Sequence, residues 1–171
     1  MPKSEQLTPE DVRRIEAEIE HRKTVVRPAS LKALKEARAM GDLSENFEYY
    51  AAKRDNNMNN SRIRYLEKLL RFATVIDDSS ASDEVGVNNT VKVHFDTDPE
   101  DVFMEYRIVT SIRSDSRRGL ISTESPLGKS LMGHKVGDRV SYTVEGGATF
   151  SLTIIELHNT GEALNDKIHQ Y

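Results

Sequence analysis

ARAMGDLSENFEYYAAKR, Ala37 to Arg54, decides how the first half of this chain folds. Helix-forming residues stand on both sides of Gly41, and glycine ends helices readily because it tolerates left-handed backbone. Next comes Asp42-x-x-Glu45, which has the spacing of a capping box, with side chains accepting backbone N–H groups at the start of a second helix. Negative charge at that point also suits the helix dipole. The same two carboxylates are hard oxygen donors of the kind Mg²⁺ takes, often only one or two from the protein with water and phosphate completing the shell. Both readings stand on the residues, and they are compatible.

Upstream, LTPED reads as a helix start, with Thr8 as N-cap, Pro9 in the first turn and Asp11 at N3. Val12, Ile15 and Ile19, then Val26, Leu31 and Leu34, give a narrow apolar stripe toward Met40. Pro28 lacks the N–H a helix interior needs, so a kink or short break is expected near Arg27–Pro28. Downstream, the pattern predicts a helix over about Ser44–Phe72. Phe47, Ala51, Arg54 and Met58 share one face, followed by Ile63, Leu66, Leu70 and Ala73. The polar run KRDNNMNNSR between these groups predicts loose packing. A connection this short makes the helices antiparallel neighbours. Arms of roughly 30 residues at about 1.5 Å each would carry the Gly41–Glu45 tip about 45 Å from the base.

After residue 77 the period changes. Residues 78–88 are polar and acidic and read as a linker between a hairpin domain, 1–77, and a second domain, 89–158. TVKVHF, VFMEYRIVTSI, RVSYTV and ATFSLTIIEL read as strands, with EGG, Glu145–Gly147, turning the last two. SPLGKSLMGH reads as a short helix capped by Ser125, opened by Pro126 and stopped by Gly133. The fold class is therefore α+β, a helical hairpin followed by a small antiparallel sheet with one short helix. Residues 159–171 form an unassigned tail.

Composition narrows the function. Of 171 residues, 37 % are apolar and 30 % charged, which suits an elongated part plus a small globular part. Without cysteine, disulfides and thiolate metal sites are excluded, and a reducing cytoplasm is expected. No apolar h-region or membrane span is visible. Residues 1–77 hold 15 Lys/Arg against 13 Asp/Glu, and residues 78–171 hold 9 against 15. Neither half has the dense positive charge that free nucleic-acid binding needs. His21, His94, His134, His158 and His169 show no metal-ligand spacing, and no phosphate loop or serine-nucleophile motif is present. Phe95, Phe103, Tyr106, Tyr142 and Phe150 alternate on strands and read as core rather than as a proline-binding pocket. DTDPED, Asp96–Asp101, reads as a turn.

Arg27-Pro28, Ala37-Arg38, Gly41-Asp42-Leu43-x-Glu45-Asn46-x-Glu48-Tyr49 and Ala51-Ala52-Lys53 together resemble the signature of the Gre transcript cleavage factors of bacteria, the GreA/GreB type. The resemblance continues through SRIRYLEKLLRFATVID and SPLGKSLMGHKVGD and spans about residues 8–158. It implies an N-terminal antiparallel coiled coil and an FKBP-like C-terminal domain. It also implies that the C-terminal domain docks on RNA polymerase and that the coiled coil enters the polymerase's secondary channel. Ser125, Pro126, Gly133, Gly137 and Asp138 match the docking domain's motif. Asp42 and Glu45 would then be the catalytic acidic pair, sharing Mg²⁺ with the polymerase while it cleaves backtracked RNA. Lys53, and more weakly Arg38, would contact the nascent RNA 3′ end, and so small a basic patch implies short products. Arg54 reads as a solvated side chain. The factor would be a monomer in the cytoplasm, not an enzyme by itself, with no membrane partner. A paralogue that enters the channel without promoting cleavage is the alternative. Phe47 stands where the family usually has a smaller residue, and Asn56-Asn57 replace a common Gln-Gln. Phe47, Tyr49 and Tyr50 are expected to pack between the helices at the tip.

Overall fold

The structure, a computed structural model, describes residues 4–41, 46–77, 83–161 and 167–168. The chain divides into two compact units between Thr74 and Val75.

Near the start of the first unit, Gln6–Leu7 (β1) pairs with the two-residue strand Thr74–Val75 (β2) at the boundary. Ser4 Oγ donates to Phe72 O at 2.8 Å, and Thr74 N–H donates to Glu5 O at 2.8 Å. Helix α1, Pro9–His21, starts with the expected box: Thr8 Oγ1 accepts from Asp11 N–H (3.2 Å) and Asp11 Oδ2 from Thr8 N–H (3.0 Å). Pro28 does not break the helix. A five-residue π-helical turn, Arg22–Val26, leads directly into α2, Arg27–Ala39, with Pro28 in its first turn. The Arg27 N–H donates to Arg22 O, the wider register of a π turn. A π turn takes up one extra residue, so the ladder continues past a proline that has no N–H to give.

Helix α3, Phe47–Phe72, returns beside α2 and α1. Cross-helix pairs fix an antiparallel register: Ala37 with Asn46, Arg27 with Asn60, Arg22 with Asn59, Glu18 with Arg62. At the base, Ile15, Ile19, Ile63, Leu66 and Leu69 are buried. Toward the tip the inward face of α3 is Tyr49, Ala52, Asn56 and Asn59, while Phe47, Ala51, Arg54 and Met58 are exposed. The face expected to be the seam is therefore the solvent face. Leu31, expected in the α2 stripe, is also exposed. The cause is polar pairing. Arg22 Nη1 donates to Asn59 Oδ1 at 3.1 Å, Asn59 Nδ2 donates back to Arg22 O at 3.3 Å, and Arg27 Nε donates to Asn60 Oδ1 at 3.1 Å. The run that looked loose is hydrogen-bonded across the seam.

Below it, Glu18 receives Arg22 Nε at 2.7 Å and a bidentate fork from Arg62 at 2.9 and 3.2 Å. Burial alone would raise the Glu18 carboxyl, but these hydrogen bonds and charges hold it below its usual value of 4.5. Glu18 therefore stabilises the fold in full above that value, and the contribution is lost as pH falls through the lower folded-state value. The Arg62 side chain is only 9 % exposed, so losing the partner strands a largely desolvated guanidinium. Glu18→Gln is expected to lower stability by about 2 kcal/mol at pH 7. Its urea midpoint, followed by helical circular dichroism, should converge with wild type in strong acid. A constant difference at all pH values would exclude the carboxylate as the cause.

The second unit is a five-stranded sheet in the order β5-β4-β3-β7-β6. Its strands are Asn89–Phe95 (β3), Met104–Val109 (β4), Leu120–Ser122 (β5), Arg139–Thr143 (β6) and Thr149–Asn159 (β7). The sheet is mixed rather than wholly antiparallel, because β4 and β5 run parallel. Sequence reading missed β5: three residues after two 3₁₀ turns are too few to show alternation. Helix α4, Pro126–Leu131, has Ser125 as its cap. Val85, Val91, Val93, Ile108, Leu131, Val140, Leu152 and Ile154 form the core. Val85 and Val87 lie in the stretch read as linker, yet both are buried, and Val85 exchanges backbone hydrogen bonds with Gly133 and His134. Phe95, Tyr106 and Tyr142 pack against the core, whereas Phe103 and Phe150 are exposed. Asp96–Asp101 is a turn, with Asp96 paired to Arg139. Thr160, in the tail, is held by Thr90 and by the Asn88 carbonyl. Among the described residues, no helix is long and apolar enough to cross a membrane.

Candidate functional site

The tip is built from the ends of α2 and α3. Helix α2 ends at Ala39, where the Met40 N–H donates to Ala37 O, and Gly41 follows with φ +114°, a conformation open to glycine and costly for other residues. Asp42 and Glu45 lie outside the described residues. The cap of α3 is Asn46, not Asp42: Asn46 Oδ1 accepts from the Tyr49 N–H at 2.9 Å. Helix α3 therefore starts at Phe47 rather than Ser44, and Asn46 fills the capping role offered to the two carboxylates. Asn46 was within reach of sequence reasoning, since an asparagine directly before a helix is a strong N-cap. Asp42 and Glu45 matched the box spacing and drew that assignment first.

Behind the tip Arg38 of α2 meets Tyr49 of α3, and Lys53 follows Tyr49 four residues along the same helix. Arg38, on α2, lies over the Tyr49 ring at 5.6 Å. A hydrogen bond from Arg38 holds the Tyr49 hydroxyl below its ordinary value, and the charge of Lys53 adds to that effect. Arg38 and Lys53 are both exposed. Arg54 faces away beside Asp55 at 4.0 Å, a solvated pair. Only Tyr49 of the three tip aromatics is partly covered. Phe47 is 84 % exposed and Tyr50 52 % exposed, so the expected packing of all three between the helices is corrected for these two.

In the second unit the five motif residues shape one turn around α4. Ser125 Oγ accepts from Gly128 N–H at 3.0 Å and donates to Ser122 O at 2.7 Å. Pro126 occupies the first turn. Gly133 and Gly137 hold φ of +77° and +93°. The Asp138 carboxylate accepts from the Lys135 N–H at 2.9 Å and pairs with His134 at 3.2 Å, contacts that keep it below its usual value. Among the described residues no group of three or more His, Cys, Asp or Glu could hold a metal ion.

Both units match known families. The model for the N-terminal domain of transcription elongation factors matches residues 5–75, and that for the C-terminal domain of GreA/GreB elongation factors matches residues 80–159. The chain belongs to the GreA/GreB family of transcription elongation factors. Transcription elongation factor GreA of Macrococcus caseolyticus is 40 % identical over 157 residues, 92 % of this chain and 98 % of that protein. GreA of Caldanaerobacter subterraneus is 44 % identical over 152 residues, covering 88 % and 95 %. A crystal structure of GreA factor homolog 1 (Gfh1) of Thermus thermophilus aligns at 24 % identity with TM-score 0.42, over 91 % of this chain and 99 % of that one. In this GreA/GreB chain the described part of the tip consists of the cap at Asn46 and the Arg38–Tyr49 contact behind it.

Proposed function

We propose that this GreA/GreB chain binds bacterial RNA polymerase and inserts its hairpin tip into the secondary channel. There it stimulates the polymerase's Mg²⁺-dependent cleavage of backtracked RNA. The observation that carries the reading is the tip itself. Asn46 supplies the helix cap, so the carboxylates of Asp42 and Glu45 are not needed for it, and Arg38 and Lys53 stand exposed on the two helices behind. Carboxylate oxygens fit Mg²⁺, but two are too few for its octahedron, so the remaining ligands must come from the polymerase, the RNA and water. Bound there, the ion would neutralise charge developing on the reacting phosphate.

The reaction is hydrolysis. Water oxygen bonds to phosphorus, the bond from phosphorus to the upstream 3′ oxygen breaks, and that oxygen takes a proton. Asp42 and Glu45 would hold the metal and orient the water. Lys53 and Arg38 would hold the displaced strand through its phosphates. The C-terminal unit would dock through the α4 turn, including Ser125, Pro126, Gly133, Gly137 and Asp138. This chain, a monomer in the cytoplasm, brings positioned charge, and the polymerase remains the catalyst.

The test is a backtracked elongation complex with 5′-labelled RNA, Mg²⁺ and the purified full chain. Shortened RNA that is still extendable is the expected result. Polymerase binding without shortening would overturn cleavage in favour of a regulator that occupies the channel.

A further inference from the structure

Asn46 does more than cap. Its Oδ1 accepts from the Tyr49 N–H at 2.9 Å, while its Nδ2 donates to the Ala37 carbonyl at 2.7 Å. The backbone continues the arrangement: Tyr50 N–H donates to Asn46 O, and Ala37 O also receives the Met40 N–H. One side chain therefore closes the start of α3 and the end of α2 across nine residues of chain. Ala37 is the one buried residue of α2 among those described, so the carbonyl it anchors is itself held in place.

We infer that Asn46 is a positioning residue of the hairpin, joining the end of α2 to the start of α3 so that the two helix ends flanking Asp42 and Glu45 keep a fixed separation. The inference rests on the cleavage reading above. Only an amide fits both bonds, because a carboxylate has no donor to offer the Ala37 carbonyl and a serine hydroxyl is too short to reach it. Asp and Ser are nevertheless N-caps as good as Asn, so substitution can separate the two jobs.

The experiment uses the full chain with Asn46→Ser and Asn46→Asp. Both variants should keep the slow exchange of the Tyr49 amide, since the cap acceptor remains. Amides at residues 39–41 should exchange several-fold faster, since the link to Ala37 is lost. With polymerase affinity within about twofold of wild type, maximal RNA cutting should fall by about three- to tenfold, the worth of one hydrogen bond. The Mg²⁺ concentration for half-maximal cutting should rise for Asn46→Ser, a change that mere loss of stability would not produce. Wild-type cutting by both variants overturns the inference. So does slowed cutting with unchanged exchange at residues 39–41, which would place Asn46 among the reacting groups. Failure of the wild type to cut would instead defeat the functional reading, and the positioning role with it.

Discussion

Asp42→Asn combined with Glu45→Gln is expected to reduce RNA cleavage in a backtracked complex by at least about a hundredfold, the scale of losing positioned charge at a reacting centre. Polymerase affinity should stay within about twofold. Both substitutions keep size and hydrogen-bonding ability and remove the anionic oxygens that Mg²⁺ prefers. The structure makes this pair an unusually clean probe. Had Asp42 been the cap of α3, its replacement would have mixed helix stability with chemistry. The cap is Asn46, so the helix keeps its start. Circular dichroism and thermal midpoint should match wild type. Raising Mg²⁺ should recover part of the lost rate if the defect is metal affinity. Equal cutting by mutant and wild type would show that the carboxylates do not hold the ion.

Much of this was legible in the residues, for identifiable reasons. Thr8, Pro9 and Asp11 announce a helix start through local bonds alone, and Ser125 with Pro126 does the same for α4. Gly41 marked the end of α2 because few other residues accept its backbone angle. The antiparallel hairpin and the β6–β7 turn were read correctly, and what failed was the detail of which face or segment meets the neighbouring element. The outward turn of Phe47 and Met58 depends on Arg22 and Arg27 meeting Asn59 and Asn60, about 35 residues away in sequence. Hydrophobic spacing on α3 alone favoured the opposite face, since Phe, Ala and Met recur there at helical intervals. Val85 looked like linker because its partners, Gly133 and His134, come about 50 residues later. At the candidate site, the acidic pair and the two cations were readable as residue types. The contact of Arg38 with Tyr49 was not, because it needs both helices in register.

Gly128→Ala should produce the largest loss of stability, about 3 kcal/mol or more in the C-terminal unit, at the upper end of the cost of overpacking. Gly128 has ordinary helical backbone, so conformational freedom is not the issue. A Cβ added there would stand 1.9 Å from the Ser122 carbonyl oxygen, 2.9 Å from its carbon and 3.0 Å from Ser125 Oγ. None of these atoms can retreat cheaply. The Ser122 oxygen already accepts from Ser125 Oγ at 2.7 Å and from the Ser125 N–H at 3.1 Å. Moving α4 instead would pull Leu131 out of the core, where it is fully buried. The adjacent Lys129→Ala, at an exposed side chain, should change stability by no more than about 0.5 kcal/mol. Thermal or urea unfolding of the full chain, monitored through the sheet signal, separates the two. If the α4 turn is the docking surface, Gly128→Ala should also weaken polymerase binding at temperatures where the variant remains folded, because Ser125 and Pro126 ride on the displaced segment. Unaltered stability in Gly128→Ala would mean that α4 does not lie against Ser122 in solution. Lost stability with unaltered polymerase affinity would move the docking surface away from this turn.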